Sequence, residues 1–345
     1  TTPEHINQAA VEALNQGHTF YTPNAGLLEL REEIAKYLSR RHKVDYKPES
    51  EIIVTIGASQ AIDVAIRTLI EPEDEVLIPQ PSFVAYKPCT ILAGGKPVSV
   101  PTYQEDDFVL RPDVLEKYIS KKSKVLILPY PNNPTGAVMT KEAYEKLAPV
   151  IKKHDLLVIA DEIYSELTYG ADYMAFAGIY DMRERTITIN GFSKSYAMTG
   201  WRLGYIAAPE DLAKEMLKVH QYNVTCAATM GQYAAIEALR KGDEDIKRMR
   251  SEYDKRRKFL FESLREMGLE SFEPKGAFYV FPSIKKTGLS SEEFAKRLLH
   301  EAKVAAVPGN SFGENGEGFV RMAYATSMEN LEEAVKRIGN FIKKF

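Results

Sequence analysis

The sequence predicts an α/β protein: a large domain on a mostly parallel, seven-stranded sheet, followed by a smaller α+β domain at the carboxyl end. Three observations predict it. From Glu51 onward, short runs rich in β-branched residues alternate with amphipathic helical stretches. These runs lack the polar alternation of a half-exposed sheet, as strands covered on both faces do. Beyond Tyr222 the alternation stops, and two helical stretches precede three further strand candidates.

The elements follow in chain order. Thr1-Thr2-Pro3-Glu4-His5 begins without an initiator Met and reads as the approach to a first helix. The strand candidates of the large domain are residues 52–55, 75–79, 97–100, 124–128, 156–160, 186–190 and 204–208. Helical patterns between them cover 59–69, 111–119 and 141–154. Residues 227–240 and 243–267 then read as helices. In the second, Ile246, Met249, Tyr253, Leu260, Leu264 and Met267 recur at helical spacing. Strands are expected at 278–281, 304–307 and 319–324, with helices 290–302 and 328–343 separating and closing them. The domains divide into 1–242 and 243–345, since 345 residues exceed what one small core accommodates.

Composition narrows the function. Formal net charge is −3 and the pI about 6.2, so no global field favours nucleic acid or an anionic membrane. The basic run Lys255-Arg256-Arg257-Lys258 is flanked by acidic residues and reads as the solvated face of a helix. The longest apolar runs are of strand length, far short of a membrane span. Cys89 and Cys226 are the two cysteines, with neither metal-ligand spacing nor a disulfide framework; a reducing, cytoplasmic setting fits. No metal site is expected.

Four segments carry chemistry. Gly191-Phe192-Ser193-Lys194-Ser195 follows a strand and places one lysine among small residues. A lysine whose pKa is lowered by burial or a neighbouring cation forms an imine with an aldehyde. Val158-Ile159-Ala160-Asp161-Glu162-Ile163-Tyr164 puts a carboxylate at the end of an apolar strand, and Pro131-Asn132-Asn133-Pro134 puts an amide at the end of another. In a parallel sheet the carboxyl ends of strands are where ligands sit, so Lys194, Asp161 and Asn133 converge on one rim. Separately, Asp161 reads as a helix N-cap and the Asn pair as turn chemistry. Finally, Thr55-Ile56-Gly57-Ala58-Ser59-Gln60-Ala61 runs from a strand into a helix whose free N–H groups suit a phosphate. It is neither a Walker loop nor the G-x-G-x-x-G fingerprint, and the cluster Gly309, Gly313, Gly316, Gly318 also fails the latter, which counts against a nicotinamide dehydrogenase.

The stretch from Gly191 to Gly204 resembles the pyridoxal 5'-phosphate (PLP) attachment signature of class I aminotransferases of fold type I, including Arg202, and the other segments fall in that family's order over essentially the whole chain. The resemblance implies a PLP enzyme that moves an amino group between an L-amino acid and a 2-oxo acid in two half-reactions, with glutamate/2-oxoglutarate as one pair. Lys194 would hold PLP as a Schiff base and move the proton at the substrate Cα. Asp161 would keep the pyridine nitrogen protonated. Tyr164 and Asn133 would hydrogen-bond the phenolic oxygen, and Phe83 would stack on the ring. Ala58, Ser59, Gln60, Ser193 and Arg202 would line the phosphate, though Gly191 stands where many relatives carry a serine.

Arg321, with Asn133 beside it, would clamp the substrate carboxylate from the small domain, as a guanidinium fork does well. Tyr21 would reach the phosphate of a neighbouring subunit, implying an obligate homodimer. The resemblance also implies a cis peptide at Asn133-Pro134. Relatives carry an amino-terminal arm before the Thr-Pro-x-His-Ile stretch, and a mobile segment of that kind is expected ahead of Thr1, leaving one side of the substrate pocket open.

Residues 21–31, 161–169 and 217–227 look most like the subgroup of bacillar aminotransferase A and the archaeal aromatic aminotransferases, which points to N-acetyl-L,L-diaminopimelate or an aromatic amino acid as second substrate. Two alternatives share the motifs. One is a PLP-dependent C–S lyase of the same fold; the other is the PLP-binding domain of a transcription regulator, whose DNA-binding module would precede Thr1.

Overall fold

The computed structural model describes residues 1–170 and 173–345. Seven strands form the main sheet: β1 (Ile52–Thr55), β2 (Glu75–Gln80), β3 (Lys96–Pro101), β4 (Ser123–Leu128), β5 (Leu157–Asp161), β6 (Thr186–Gly191) and β7 (Gly204–Ala207). Their order is β1-β7-β6-β5-β4-β2-β3. Six run in one direction, and β7 is antiparallel to both neighbours. Each strand lies within one residue of the span expected from the sequence at either end. The fold is the expected α/β architecture.

The unbroken apolar runs are explained by burial on both faces. Val125, Ile127, Ile159 and Ile187 face one core, whereas Leu126, Leu128, Val158 and Ala160 face another. The helices α1 (Glu4–Asn15), α2 (Leu28–Tyr37), α3 (Gly57–Leu69), α4 (Tyr86–Leu92), α5 (Pro112–Glu116), α6 (Lys141–Lys153), α7 (Phe192–Ser195), α8 (Glu210–Val224) and α9 (Thr229–Lys241) accompany this sheet. Ala61, Ile62 and Ala65 of α3, with Ala213 and Met216 of α8, cover the first face. Tyr144, Leu147 and Ile151 of α6 cover the second, and Thr140 caps α6 by accepting the Ala143 N–H at 3.2 Å.

A three-stranded antiparallel sheet follows, ordered β8 (Tyr279–Val280), β10 (Val320–Ala323), β9 (Val307–Pro308). Helices α10 (Asp243–Glu266), α11 (Ser291–Arg297) and α12 (Met328–Ile342) enclose its core, which includes Leu260, Val280, Phe294, Val320, Met322 and Phe341.

Several expected elements change. The helix expected at 111–119 shrinks to α5, because Lys117 and Tyr118 turn to i−3 carbonyls and the segment unwinds. The helix expected at 290–302 ends as α11 and loosens into a π-type turn at Leu298–Ala302, closed by Lys303 in the left-handed conformation. That closure draws the Val304 N–H to the Leu298 carbonyl, which takes Val304 out of the strand expected at 304–307. The Asn133–Pro134 bond is cis, as are Gln80–Pro81 and Tyr130–Pro131.

Candidate active site

The carboxyl ends of β1, β4, β5 and β6 open onto one cavity of about 240 Å³. Its lining includes Ala58, Ser59, Phe83, Asn133, Asp161, Tyr164, Ser193, Lys194, Arg202 and Arg321. All of these were expected at the site. Because β7 runs backwards, its amino-terminal end meets the same rim, and this is how Arg202 reaches the cavity.

Lys194 sits in α7, one turn beyond β6. It makes no hydrogen bond or ion pair among the described residues, and its ammonium lies 5.6 Å from the Phe278 ring centroid and 5.9 Å from that of Tyr164. Burial lowers its pKa, the positive charges of Arg202 and Arg321 push the same way, and Asp161 opposes them. Such an amine is readied to attack an aldehyde.

Asp161 ends β5 and is 5 % exposed. Its Oδ2 accepts the Tyr86 hydroxyl at 2.7 Å and its Oδ1 the Ile163 N–H at 3.3 Å. Burial raises its pKa to about 6, against the lowering effect of those two donors and of Lys194. A buried carboxylate without a cation of its own suits a protonated ring nitrogen. Tyr164 and Tyr279 share a hydroxyl–hydroxyl hydrogen bond of 3.0 Å at the cavity wall.

The two asparagines divide their work. Asn132 builds the turn, its Oδ1 accepting from the Thr135 N–H and hydroxyl at 3.2 and 3.0 Å. Asn133 is thereby left to the cavity, where its Oδ1 accepts Nη1 of Arg321 at 2.8 Å. The Arg321 guanidinium is sandwiched 4.4 Å from the Tyr279 centroid and 4.8 Å from that of Phe312, and its buried Nε has no partner among the described residues. A fork pinned on one arm, with an unsatisfied donor, is a ready carboxylate receptor.

At the phosphate end the fit is geometric. Gly57 has φ +74°, and a Cβ there would lie 2.6 Å from Nη2 of Arg202, so the guanidinium rests on a bare Cα. Arg202 donates Nη1 to the Thr199 carbonyl at 2.8 Å, which holds it beside the first turn of α3. Gly191 is also accounted for: a Cβ would sit 2.8 Å from Gly204 Cα and from the Leu203 carbonyl, leaving no room for the serine of many relatives. The residues present thus fit PLP: an anion cup, a free amine, a buried carboxylate and a carboxylate receptor share one cavity.

Two of the named residues do not line this cavity. The Gln60 side chain turns away from the cavity to the Ile56 N–H and His220. Tyr21 is 80 % exposed and does not line the cavity of its own chain. Conversely, Tyr86 and Tyr279 line the site and were missed. Each follows an aromatic in its own segment (Phe83 and Phe278), and neither carries a motif of its own. Among the described residues, no three His, Cys, Asp or Glu side chains are grouped to hold a metal ion.

A family model described as aminotransferase class I and II matches residues 1–338. The chain belongs to this family. The aminotransferase is similar to aromatic-amino-acid aminotransferase 2 of Thermococcus litoralis, 49% identical over 346 residues covering 99% of this chain and 89% of that protein. It is 50% identical, over the same shares, to the aspartate aminotransferase of Pyrococcus abyssi. Among solved structures, the aromatic aminotransferase of Pyrococcus horikoshii matches with a TM-score of 0.98 at 50% identity, covering 99% of this chain and 93% of that one. The protein is a PLP-dependent aminotransferase acting on amino acids and 2-oxo acids.

Proposed function

We propose that Lys194, Asp161 and Tyr164 form the catalytic group of this aminotransferase, with Arg321 and Asn133 receiving the substrate carboxylate. The observation that carries this is the shared cavity: Lys194 and Asp161 face it from neighbouring strand ends, and Arg321 enters from β10. When bound, PLP supplies the aldehyde that takes the amino group and a ring that draws electrons from Cα. Lys194, uncharged once its proton is lost, moves the proton at Cα. Asp161 holds the ring nitrogen protonated, and Tyr164 and Asn133 steady the phenolic oxygen. Phe83 packs on the ring. Ala58, Ser59, Ser193, Arg202 and the main chain at Gln60 surround the phosphate.

For the second substrate we favour an aromatic or otherwise uncharged side chain; glutamate/2-oxoglutarate as the shared pair rests on the family resemblance. Among the described lining residues the cations are Lys194, Arg202 and Arg321, and each already has an assigned task. The remaining wall is largely Pro129, Pro131, Ile163, Tyr164 and Tyr279. N-acetyl-L,L-diaminopimelate is the other candidate that the subgroup resemblance supports. Half-reaction spectra against a panel of amino acids decide: phenylalanine or tyrosine should convert the cofactor to its amine form faster than aspartate does. Faster conversion by aspartate removes the substrate preference, and ammonia plus pyruvate without an oxo acid would point to a lyase.

We place the division between a large and a small domain at residues 242/243; the core of the second sheet draws mostly on residues beyond it, from Leu260 to Phe341. A homodimer, in which Tyr21 reaches the partner's phosphate, and a cytoplasmic location, from the two free cysteines, complete the proposal. No helix among the described residues is long and apolar enough to cross a membrane.

A further inference from the structure

The turn of Gln60 away from the cavity has its own logic. Its Oε1 accepts the Ile56 N–H at 2.8 Å, reaching back over the junction between β1 and α3. A glutamine near a helix start that reaches back to the cap residue's N–H fixes how the chain enters the helix. The direction of the first-turn N–H groups is set at that junction.

With the carbonyl so occupied, the amide nitrogen of Gln60 must be the atom that faces Nδ1 of His220, 3.0 Å away. An NH₂ group cannot accept, so Nδ1 carries the lone pair and the ring is neutral with its proton on Nε2. His220 lies on α8 and is 0 % exposed. Burial lowers its pKa, with the main chain of Asn24 pulling weakly the other way, so a neutral ring is what this site favours.

We infer that His220 is a positioning residue for the cofactor phosphate: through Gln60 it holds the β1–α3 turn so that the first turn of α3 and Arg202 converge on one anion. The inference rests on the proposed phosphate cup at Gly57–Ser59. His220 touches neither substrate nor cofactor. Loss of its acceptor leaves a buried NH₂ unsatisfied and frees Gln60 to abandon Ile56.

The test compares His220→Leu, which removes the acceptor, with His220→Asn, whose Oδ1 hangs from Cγ as Nδ1 does. Apoenzymes are titrated with PLP and, separately, with pyridoxal, which lacks the phosphate. His220→Leu should weaken PLP roughly tenfold, the loss of about one hydrogen bond, and leave pyridoxal unchanged. His220→Asn should keep PLP affinity within about threefold while lowering the melting temperature about as much as the Leu variant. Equal losses for PLP and pyridoxal, or equal PLP losses in both variants, overturn the positioning role. If the parent enzyme binds PLP no better than pyridoxal, the phosphate cup itself is wrong. The ¹⁵N shifts of His220 in the unaltered protein give an answer independent of folding: a protonated Nδ1 overturns the inference.

Discussion

Burial keeps the pKa of Lys194 low, with Arg202 and Arg321 adding to the effect and Asp161 opposing it. Lys194→Ala should reduce turnover by about 10²–10⁴-fold, the range for losing a positioned acid–base group, while cofactor remains detectable by phosphate contacts alone. Retained full turnover in steady-state assays removes the mechanism. Asp161 makes a pH prediction. Its folded pKa of about 6 exceeds the ordinary 3.8, so between those values the apoprotein binds more protons than the unfolded chain. The stabilising contribution is full below the unfolded value and is lost as pH rises through about 6. Above that, the buried charge costs on the order of 3 kcal/mol. Asp161→Asn should therefore raise the apoprotein's melting temperature at pH 8 but hardly at pH 4, and should nonetheless cripple turnover. A melting temperature unchanged at both pH values would sink this account of the carboxylate. Arg321→Ala should raise KM for amino acids about 10- to 100-fold, as expected for hydrogen bonds to a charged group.

At the level of elements, the start of α3, the start of β7 and the end of β6 are in near contact because three glycines meet there. A Cβ on Gly204 would stand 2.7 Å from Ala58 N and Gly57 C and 3.1 Å from the Asn190 carbonyl. Gly204→Ala should cost about 1–3 kcal/mol of stability by overpacking and also weaken PLP binding, measured by thermal melting and cofactor titration. An unchanged melting temperature would show that α3 can step back freely.

The strands were legible because both faces of the sheet are buried and β-branched runs are unambiguous there. The reversal of β7 was not, since an apolar run carries no sign of its direction. Lys194, Asp161 and Asn133 were legible because each lies at or shortly beyond the end of such a run. The direction of the Gln60 side chain was not legible because position in the chain gives the helix turn but not the side-chain rotamer, and a buried histidine on a distant helix decided it. Tyr86 and Tyr279 were not legible, since an aromatic near another aromatic gives no hint that its hydroxyl faces a cavity.

Across the whole molecule, the two sheets meet where Arg321 of β10 bonds Asn133 beyond β4, so the site exists only when both are folded. The exposed aromatics Phe20, Tyr21 and Tyr222, at 67, 80 and 88 % exposure, sit outside either core. If they are covered in a homodimer, sedimentation should give twice the monomer mass. Tyr21→Phe should then weaken PLP binding although the residue is remote from its own chain's cavity. A monomer with intact cofactor affinity would exclude the shared site.

The Arg321–Asn133 bond has a final consequence. The guanidinium is aimed before any ligand arrives, so the ordering entropy of that long side chain is already spent at folding. Amino acids and oxo acids differ at Cα but offer the same carboxylate to it. One preorganised anchor can therefore greet both partners of the exchange alike, whichever of them has just departed.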